Sequence, residues 1–368
     1  MTARWTILFA FAYLIVSPGS LHAQEPAISA FDLTRLWEQF SEQPEDVAVG
    51  CVPLANPGDA VLYNADEPFP LASVTKLLMY IEYARRVNAG QIRTDEMVDV
   101  EVLDRYNLPR TDRGAHDRFM SQYPDDVAQI SLWDLALGMV SYSSNAASDY
   151  LLDRLGPVDW EALYWSLGVT HTDAPHSLTM IPLLMNNHET GKATVRDLES
   201  LSREQGEDYL VRYIDDEVWR EAEIRYRSGR GSQFPSWSVQ TAFLEQHTAR
   251  GTINDFLSVL RSVYTDESWL SANVRSMTRN ALRWTENEFI NEWYAEYGSK
   301  LGFYSGGTLT LIAYGQPVDG EPVISAIFLR DVERRAYSEM LEEDTLGDFV
   351  HWLNFNGCQG LQAALPAA

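Results

Sequence analysis

Lysine is almost missing from this chain of 368 residues: of the 28 basic residues only Lys76, Lys192 and Lys300 are lysines, and the remaining 25 are arginines. A guanidinium keeps its proton in a protein whereas an amine can lose it, so a lysine kept in so arginine-rich a sequence is a candidate base. Positive charge is short in total as well, 28 basic against 53 acidic residues, for a net charge of −25. Such a field repels nucleic acid and anionic membrane surfaces, and no nucleic-acid partner is expected. Cysteine is limited to Cys51 and Cys358. In an oxidising compartment the two could pair if the chain ends meet on one sheet, or they could be two unrelated buried thiols. There is no His-Glu-x-x-His, and His171, Asp173 and His176 have no standard ligand spacing; neither a metal nor another cofactor is expected. Internal repeats and low-complexity tracts are lacking too.

Long apolar runs are limited to one. Arg4, the stretch from Trp5 to Val16, Pro18-Gly19-Ser20 and Leu21-His22-Ala23 follow the order of a secretory leader: positive end, short apolar core, small residue at the cut. The core is too short to span a bilayer comfortably. Residues 1–23 are therefore read as a leader, and the remaining chain as exported, periplasmic or secreted, with no membrane span in its mature form. Without Arg4 its net charge becomes −26.

In what is present, Leu33, Leu36, Trp37 and Phe40 fall at helical spacing within 29–42. Strands are predicted at 46–53 and 60–64 around an Asn56-Pro57-Gly58 turn. A helix opens at Ser73 and carries an apolar stripe from Val74 to Val87. The polar stretch 96–129 reads as an elaborated surface loop, followed by helical periodicity over 130–140, a break at 141–145, and a helix stopped by Gly156-Pro157. Helical patterns cover 194–228 and 249–296, with a connection at 229–238. The end changes character: three strands at 297–303, 308–314 and 322–329, then a helix over 346–355. Strands at both ends and helices between them predict an α+β fold, in which an antiparallel sheet formed by both chain ends is flanked by helices and carries an inserted helical subdomain. The expected division is a sheet part at 24–70 plus 248–368 and a helical part at 71–247. Most of the tryptophans, Trp219, Trp237, Trp269, Trp284 and Trp293 among them, read as core or interhelical packing.

Three short motifs carry chemistry. Ser73-Val74-Thr75-Lys76 opens an apolar helix and puts serine and lysine on one face. Ser143-Ser144-Asn145 sits in a break between helices. Lys300-Leu301-Gly302 enters a strand. A second Ser-x-Asn, Ser271-Ala272-Asn273, lies in a charged helical pattern and is set aside. Acyl transfer through a covalent intermediate needs a nucleophile, a group to take its proton, a group to protonate the leaving atom, and donors for the oxyanion.

The trio Ser-x-x-Lys, Ser-x-Asn and Lys-x-Gly, in that order, resembles class A β-lactamases and penicillin-binding proteins, with the likeness running from about residue 29 to the end of the chain. The resemblance implies Ser73 as nucleophile, Lys76 as its base, and Ser143 as proton relay to the leaving nitrogen. It implies Asn145 as the residue orienting Lys76 and the substrate amide, and Lys300 as holder of a substrate carboxylate. It also implies an oxyanion hole from the backbone N–H groups of Ser73 and Phe303, with Gly302 in the same strand motif. The expected substrate is a β-lactam, a D-alanyl peptide derived from peptidoglycan, or a related small amide or ester.

Two departures bear on the reaction. Leu301 stands where the family carries a threonine or serine hydroxyl, and 169–187 contains no glutamate to activate water. Either the acyl-enzyme persists, as in penicillin-binding proteins, or Asp173 or His176 replaces the missing base. A catalytically inactive receptor on the same fold and a small-molecule esterase are the rival expectations; oligomeric state stays open.

Overall fold

The computed structural model describes residues 31–229, 234–283 and 287–365. The expected leader at 1–23 and Trp284 lie outside them. Eleven strands occur among the described residues: β1 (Val47–Pro53), β2 (Val61–Tyr63), β3 (Phe69–Pro70), β4 (Met97–Asp99), β5 (Gln129–Ser131), β6 (Asn186–Asn187), β7 (Gly191–Lys192), β8 (Arg250–Gly251), β9 (Tyr294–Tyr304), β10 (Thr308–Pro317) and β11 (Val323–Leu329). Five form the main sheet in the order β2-β1-β11-β10-β9, with β1 antiparallel to β11 from Val47 opposite Leu329 to Pro53 opposite Val323. Both ends of the chain therefore build one antiparallel sheet, in an α+β fold.

The helices before the middle of the chain are α1 (Thr34–Glu42), α2 (Lys76–Asn88), α3 (Val100–Asp104), α4 (Ala115–Met120), α5 (Leu132–Leu137), α6 (Asn145–Leu155), α7 (Trp160–Leu167) and α8 (Met180–Met185). Then come α9 (Arg203–Asp215), α10 (Glu217–Ser228), α11 (Trp237–His247), α12 (Ile253–Tyr264), α13 (Ala272–Leu282), α14 (Glu288–Trp293), α15 (Arg334–Glu342) and α16 (Thr345–Ala364). Period-2 alternation explains why both faces of the sheet are covered. On β11, Val323, Ile327 and Leu329 join Leu36 and Phe40 of α1 and Phe349, Val350 and Leu353 of α16 in one core. The intervening Ile324, Ala326 and Phe328 join Phe256, Leu257 and Leu260 of α12 in the other. Cys51 of β1 is disulfide-bonded to Cys358 of α16, tying the sheet to its last helix across 307 residues of sequence.

Helix α2 runs through the middle of the second core. Leu77, Leu78, Met79, Tyr80, Ile81, Tyr83 and Ala84 are all buried, so it is apolar nearly all round. Helix α13, outside the 71–247 stretch, packs against it. A third core joins Met180, Leu183, Leu184, Leu210, Tyr213, Trp219, Phe243 and Leu244 and belongs to the lobe α8–α11.

Several elements differ from the sequence reading. The stretch 96–129 is not a plain loop: it holds β4, α3 and α4 and buries Leu103, Ala115, His116 and Phe119. Its short helices lie below the length at which periodicity is visible through the charged residues. Residues 237–247, of which only the first two fall in the expected connection at 229–238 and the rest carry no sequence assignment, form α11, and α7, α8 and α15 have no counterpart in the sequence pattern either. Trp219 is buried as expected, but Trp269 is 80 % exposed, its ring centroid 5.8 Å from that of the exposed Trp165.

Candidate active site

Ser73 lies in a 3-10 turn (Ala72–Thr75) that runs into α2, one helical turn before Lys76. The turn is entered through Ala72 at φ 48°, a left-handed conformation that a residue with a side chain keeps only when its surroundings impose it. Strand β9 passes directly alongside. A Cβ on Gly302 would stand 2.7 Å from the Ser73 backbone nitrogen and 2.5 Å from Thr310 Oγ1, so only glycine permits this approach. Thr310 Oγ1 lies 2.9 Å from Leu71 O, fastening β10 to the residue that leads into the turn. Ser73 and the Gly302-Phe303 backbone are thereby neighbours. The Arg113 guanidinium lies 5.6 Å from the centre of the Phe303 ring.

Lys76 is fully buried. Its Nζ donates to Ser143 O at 2.6 Å, to Ser143 Oγ at 3.2 Å and to Asn145 Oδ1 at 2.8 Å. All three acceptors are uncharged. Burial holds the Lys76 amine well below its ordinary pKa, and the positive charge of Lys300 pushes the same way; Asp149 and Asp112 oppose them. Lys300 is also buried, donates to Ser143 Oγ at 3.0 Å and to Leu301 O at 2.9 Å, and is pushed down to about 7 by burial. One hydroxyl, that of Ser143, thus lies between two buried amines. It is delivered by a π-helical turn (Gly138–Tyr142) that ends with Ser143 at φ 66°. Asn145 follows as the first residue of α6, capped by Ser144.

A cleft of about 980 Å³ opens beside this hydroxyl, lined by Ser143, Lys300, Leu301 and Phe303 together with Arg118, Tyr123 and Tyr142. The six motif residues and Phe303 that the sequence singled out therefore meet in one place. Lys192 does not; it is exposed on β7. The second Ser-x-Asn is remote: Ser271 caps α13, and Asn273 donates to Asn88 Oδ1 at the opposite end of α2 from Lys76.

The sequence over residues 30–333 has a named counterpart. The chain belongs to the beta-lactamase enzyme family, whose profile matches over that span. Its structure is similar to a β-lactamase from Sphaerobacter thermophilus at 15 % identity and TM-score 0.54, covering 87 % of this chain and 93 % of that one. It is similar to a class A β-lactamase from Mycobacterium abscessus at 15 % identity and TM-score 0.52, covering 85 % and 97 %. A variant of PBP-A in an acyl-enzyme complex with penicillin G matches at 13 % identity and TM-score 0.51, covering 86 % and 94 %. Among curated proteins none matches. Family membership supports a serine hydrolase of the β-lactamase kind, on a fold shared with a penicillin-binding protein.

Of the two stand-ins for the missing glutamate, His176 has both ring nitrogens engaged and Asp173 has one oxygen engaged. His176 is buried; its Nε2 accepts from the Ala249 N–H at 2.9 Å and its Nδ1 faces Ser177 O at 3.1 Å, while burial pushes it down to about 4. Asp173 Oδ2 accepts from the Arg250 N–H at 2.9 Å, on β8. A residue that the motifs did not flag acts on Lys76. Asp149, one turn after Asn145 on the same face of α6, is buried, is pushed up to about 6 by that burial, and acts electrostatically on Lys76. Its two oxygens accept from the Leu178 and Thr179 N–H groups at 2.7 and 2.8 Å, which pins the 169–187 loop to α6. Its i+4 position after Asn145 is legible in the sequence; its partners are not. Among the described residues no cluster of His, Cys, Asp or Glu is arranged to hold a metal.

Proposed function

We propose that this protein is an acylating serine hydrolase that forms a persistent acyl-Ser73 intermediate with a β-lactam or a D-alanyl peptide. The observation that carries the reading is Lys76: a fully buried amine, one turn from Ser73, bonded only to neutral acceptors. In its neutral form it takes the proton of Ser73 Oγ as that oxygen attacks the carbonyl carbon. The backbone N–H groups of Ser73 and Phe303 receive the developing oxyanion, aided by the start of α2. Ser143 hands a proton to the departing nitrogen, and Asn145 orients Lys76 and the substrate amide. Lys300, while charged, holds the substrate carboxylate, without the hydroxyl that Leu301 replaces.

Persistence follows from the 169–187 loop, which carries no glutamate and whose buried His176 has both ring nitrogens engaged, by the Ala249 N–H and at Ser177 O. Water that reaches the ester meets no glutamate there. Export to an oxidising compartment, with the leader at 1–23 removed, suits the Cys51–Cys358 disulfide; the mass of the mature N-terminus tests it.

The decisive experiment treats wild type and Ser73→Ala with a fluorescent penicillin and follows intact mass over time. A stable adduct on wild type alone is expected. Rapid release of hydrolysed penicillin would overturn the persistence, and the absence of any adduct with penicillin, D-alanyl peptide or ester donors would overturn the acylating role.

A further inference from the structure

The turn that presents Ser143 and Asn145 has a buried brace. Ser144, between those two residues, is fully buried; its Oγ accepts from the Ala147 N–H at 3.1 Å and lies 2.9 Å from His116 Nδ1. His116 is 2 % exposed, and its Nε2 lies 3.2 Å from Oδ1 of Asp104, whose side chain is 56 % exposed. An ionised carboxylate only accepts, so Nε2 carries the proton shared with Asp104, and in a neutral ring Nδ1 accepts the hydroxyl proton of Ser144. The order serine, histidine, aspartate invites comparison with a nucleophile and its base. Here the hydroxyl is sealed from solvent and already caps α6, so the chain of bonds is mechanical in effect.

The supports of His116 are equally fixed. Asp112 collects the N–H groups of Gly114, Ala115 and His116 and so sets the start of α4. Phe119, on the same helix, fills the space that a side chain at Gly138 would need. Gly138 opens the π-helical turn and takes the Ser144 N–H on its carbonyl at 3.3 Å. Helix α4 therefore grips the turn at both ends, through Phe119 on Gly138 and through His116 on Ser144. Between these two holds Ser143 takes its left-handed conformation, aiming its carbonyl and hydroxyl at Lys76.

We propose that His116, held by Asp104 and acting through Ser144, is a positioning residue for acyl transfer that keeps Ser143 and Asn145 on the Lys76 amine. This rests on the acyl-transfer reading above. It assigns a task to the 96–129 stretch, whose sequence reads as surface.

Two substitutions separate positioning from packing. His116→Asn keeps an amide close to the place of Nδ1 and can still reach Ser144; His116→Gln keeps one close to the place of Nε2 and can still reach Asp104. Each loses one of the two bonds, so both should lower Tm by similar amounts. Acylation of Ser73 by the fluorescent penicillin should slow by roughly 30-fold or more in His116→Gln, and by no more than about threefold in His116→Asn, because small misplacements of catalytic groups are costly. Equal slowing in the two variants, in step with Tm, would overturn the proposal.

A second measurement needs no substrate. With only three lysines, 13Cε-lysine labelling gives three signals, and Lys192→Arg and Lys300→Arg assign them. The Lys76 signal and its titration should be displaced in His116→Gln and nearly retained in His116→Asn. Identical Lys76 signals in all three proteins would overturn the brace. A wild-type protein that is never acylated would instead defeat the proposed function, while the lysine signals still decide on His116.

Discussion

Two cations among the described residues are wholly without exposed surface, Lys76 beside Ser73 and Arg227 in the α8–α11 lobe, and they are treated in opposite ways. Arg227 is paired: its Nε donates to Glu223 Oε1 at 2.6 Å, and its Nη2 donates to Asn186 O at 2.5 Å and Pro182 O at 3.1 Å. The other Glu223 oxygen accepts from the His188 N–H at 2.7 Å and meets His188 Nδ1 at 2.9 Å. Lys76 has three neutral acceptors, a second amine within electrostatic reach, and carboxylates acting only from further away. A buried charge with a contacting counter-ion stays charged and holds structure together, whereas one without is driven to neutrality. Neutrality is what a base requires. The residue types match the tasks, because arginine cannot be neutralised and lysine can.

The largest expected effect comes from erasing that difference. Lys76→Arg keeps a permanent cation beside Ser73 and should slow acylation about a thousandfold or more, as read by the intact-mass time course; an acylation rate near wild type would show that Lys76 is not the base. The converse change, Glu223→Gln, leaves Arg227 buried without its counter-charge. A loss of about 3–5 kcal/mol in urea unfolding is expected, with acylation per folded molecule little altered because the lobe has its own core. A loss near zero would mean that the pair is structurally idle.

His176 belongs on the structural side of the comparison, and its pH dependence has a definite sign. Its folded pKa of about 4 lies below the unfolded value of 6.5, so the stability it contributes is complete above pH 6.5 and is lost as pH falls through 4. About 3 kcal/mol should disappear over that window, because each tenfold change in a protonation equilibrium is worth about 1.4 kcal/mol. The Tm advantage of wild type over His176→Gln should therefore shrink from pH 7 to pH 4; a constant gap would refute the buried neutral ring. The smallest effect concerns Lys300, at about 7. With a carboxylate-bearing donor, acylation should fall as pH rises through 7, by up to about tenfold for each pH step of one, and Lys300→Arg should remove that fall. An uncharged ester donor should show no such limb.

Much of this is legible in the residues themselves. The helical stripe after Ser73, the β1 and β9–β11 strands and the three motifs are local patterns, and each forms within a few residues of its expected bounds. The 96–129 stretch differs because α3 and α4 have five and six residues, too few to show a period against Asp, Arg and Gly. His116 is invisible in sequence for a further reason: its partners Ser144 and Asp104 stand 28 and 12 residues away, and no local spacing announces them. Leu301 and the absent glutamate are departures that the motifs display directly. That both nitrogens of His176 are engaged is displayed only by the folded chain.

The sequence alone determined which side chains could do chemistry, since a serine and a lysine one turn apart at a helix start share a face whatever surrounds them. It left open whether Cys51 meets Cys358. The tertiary structure decided that pairing, and it decided the direction in which the Lys76 pKa moves. Burial, the nearness of Lys300 and the lack of a contacting carboxylate are properties of three segments brought together, and all three lower the cost of neutralising that amine, burial most of all.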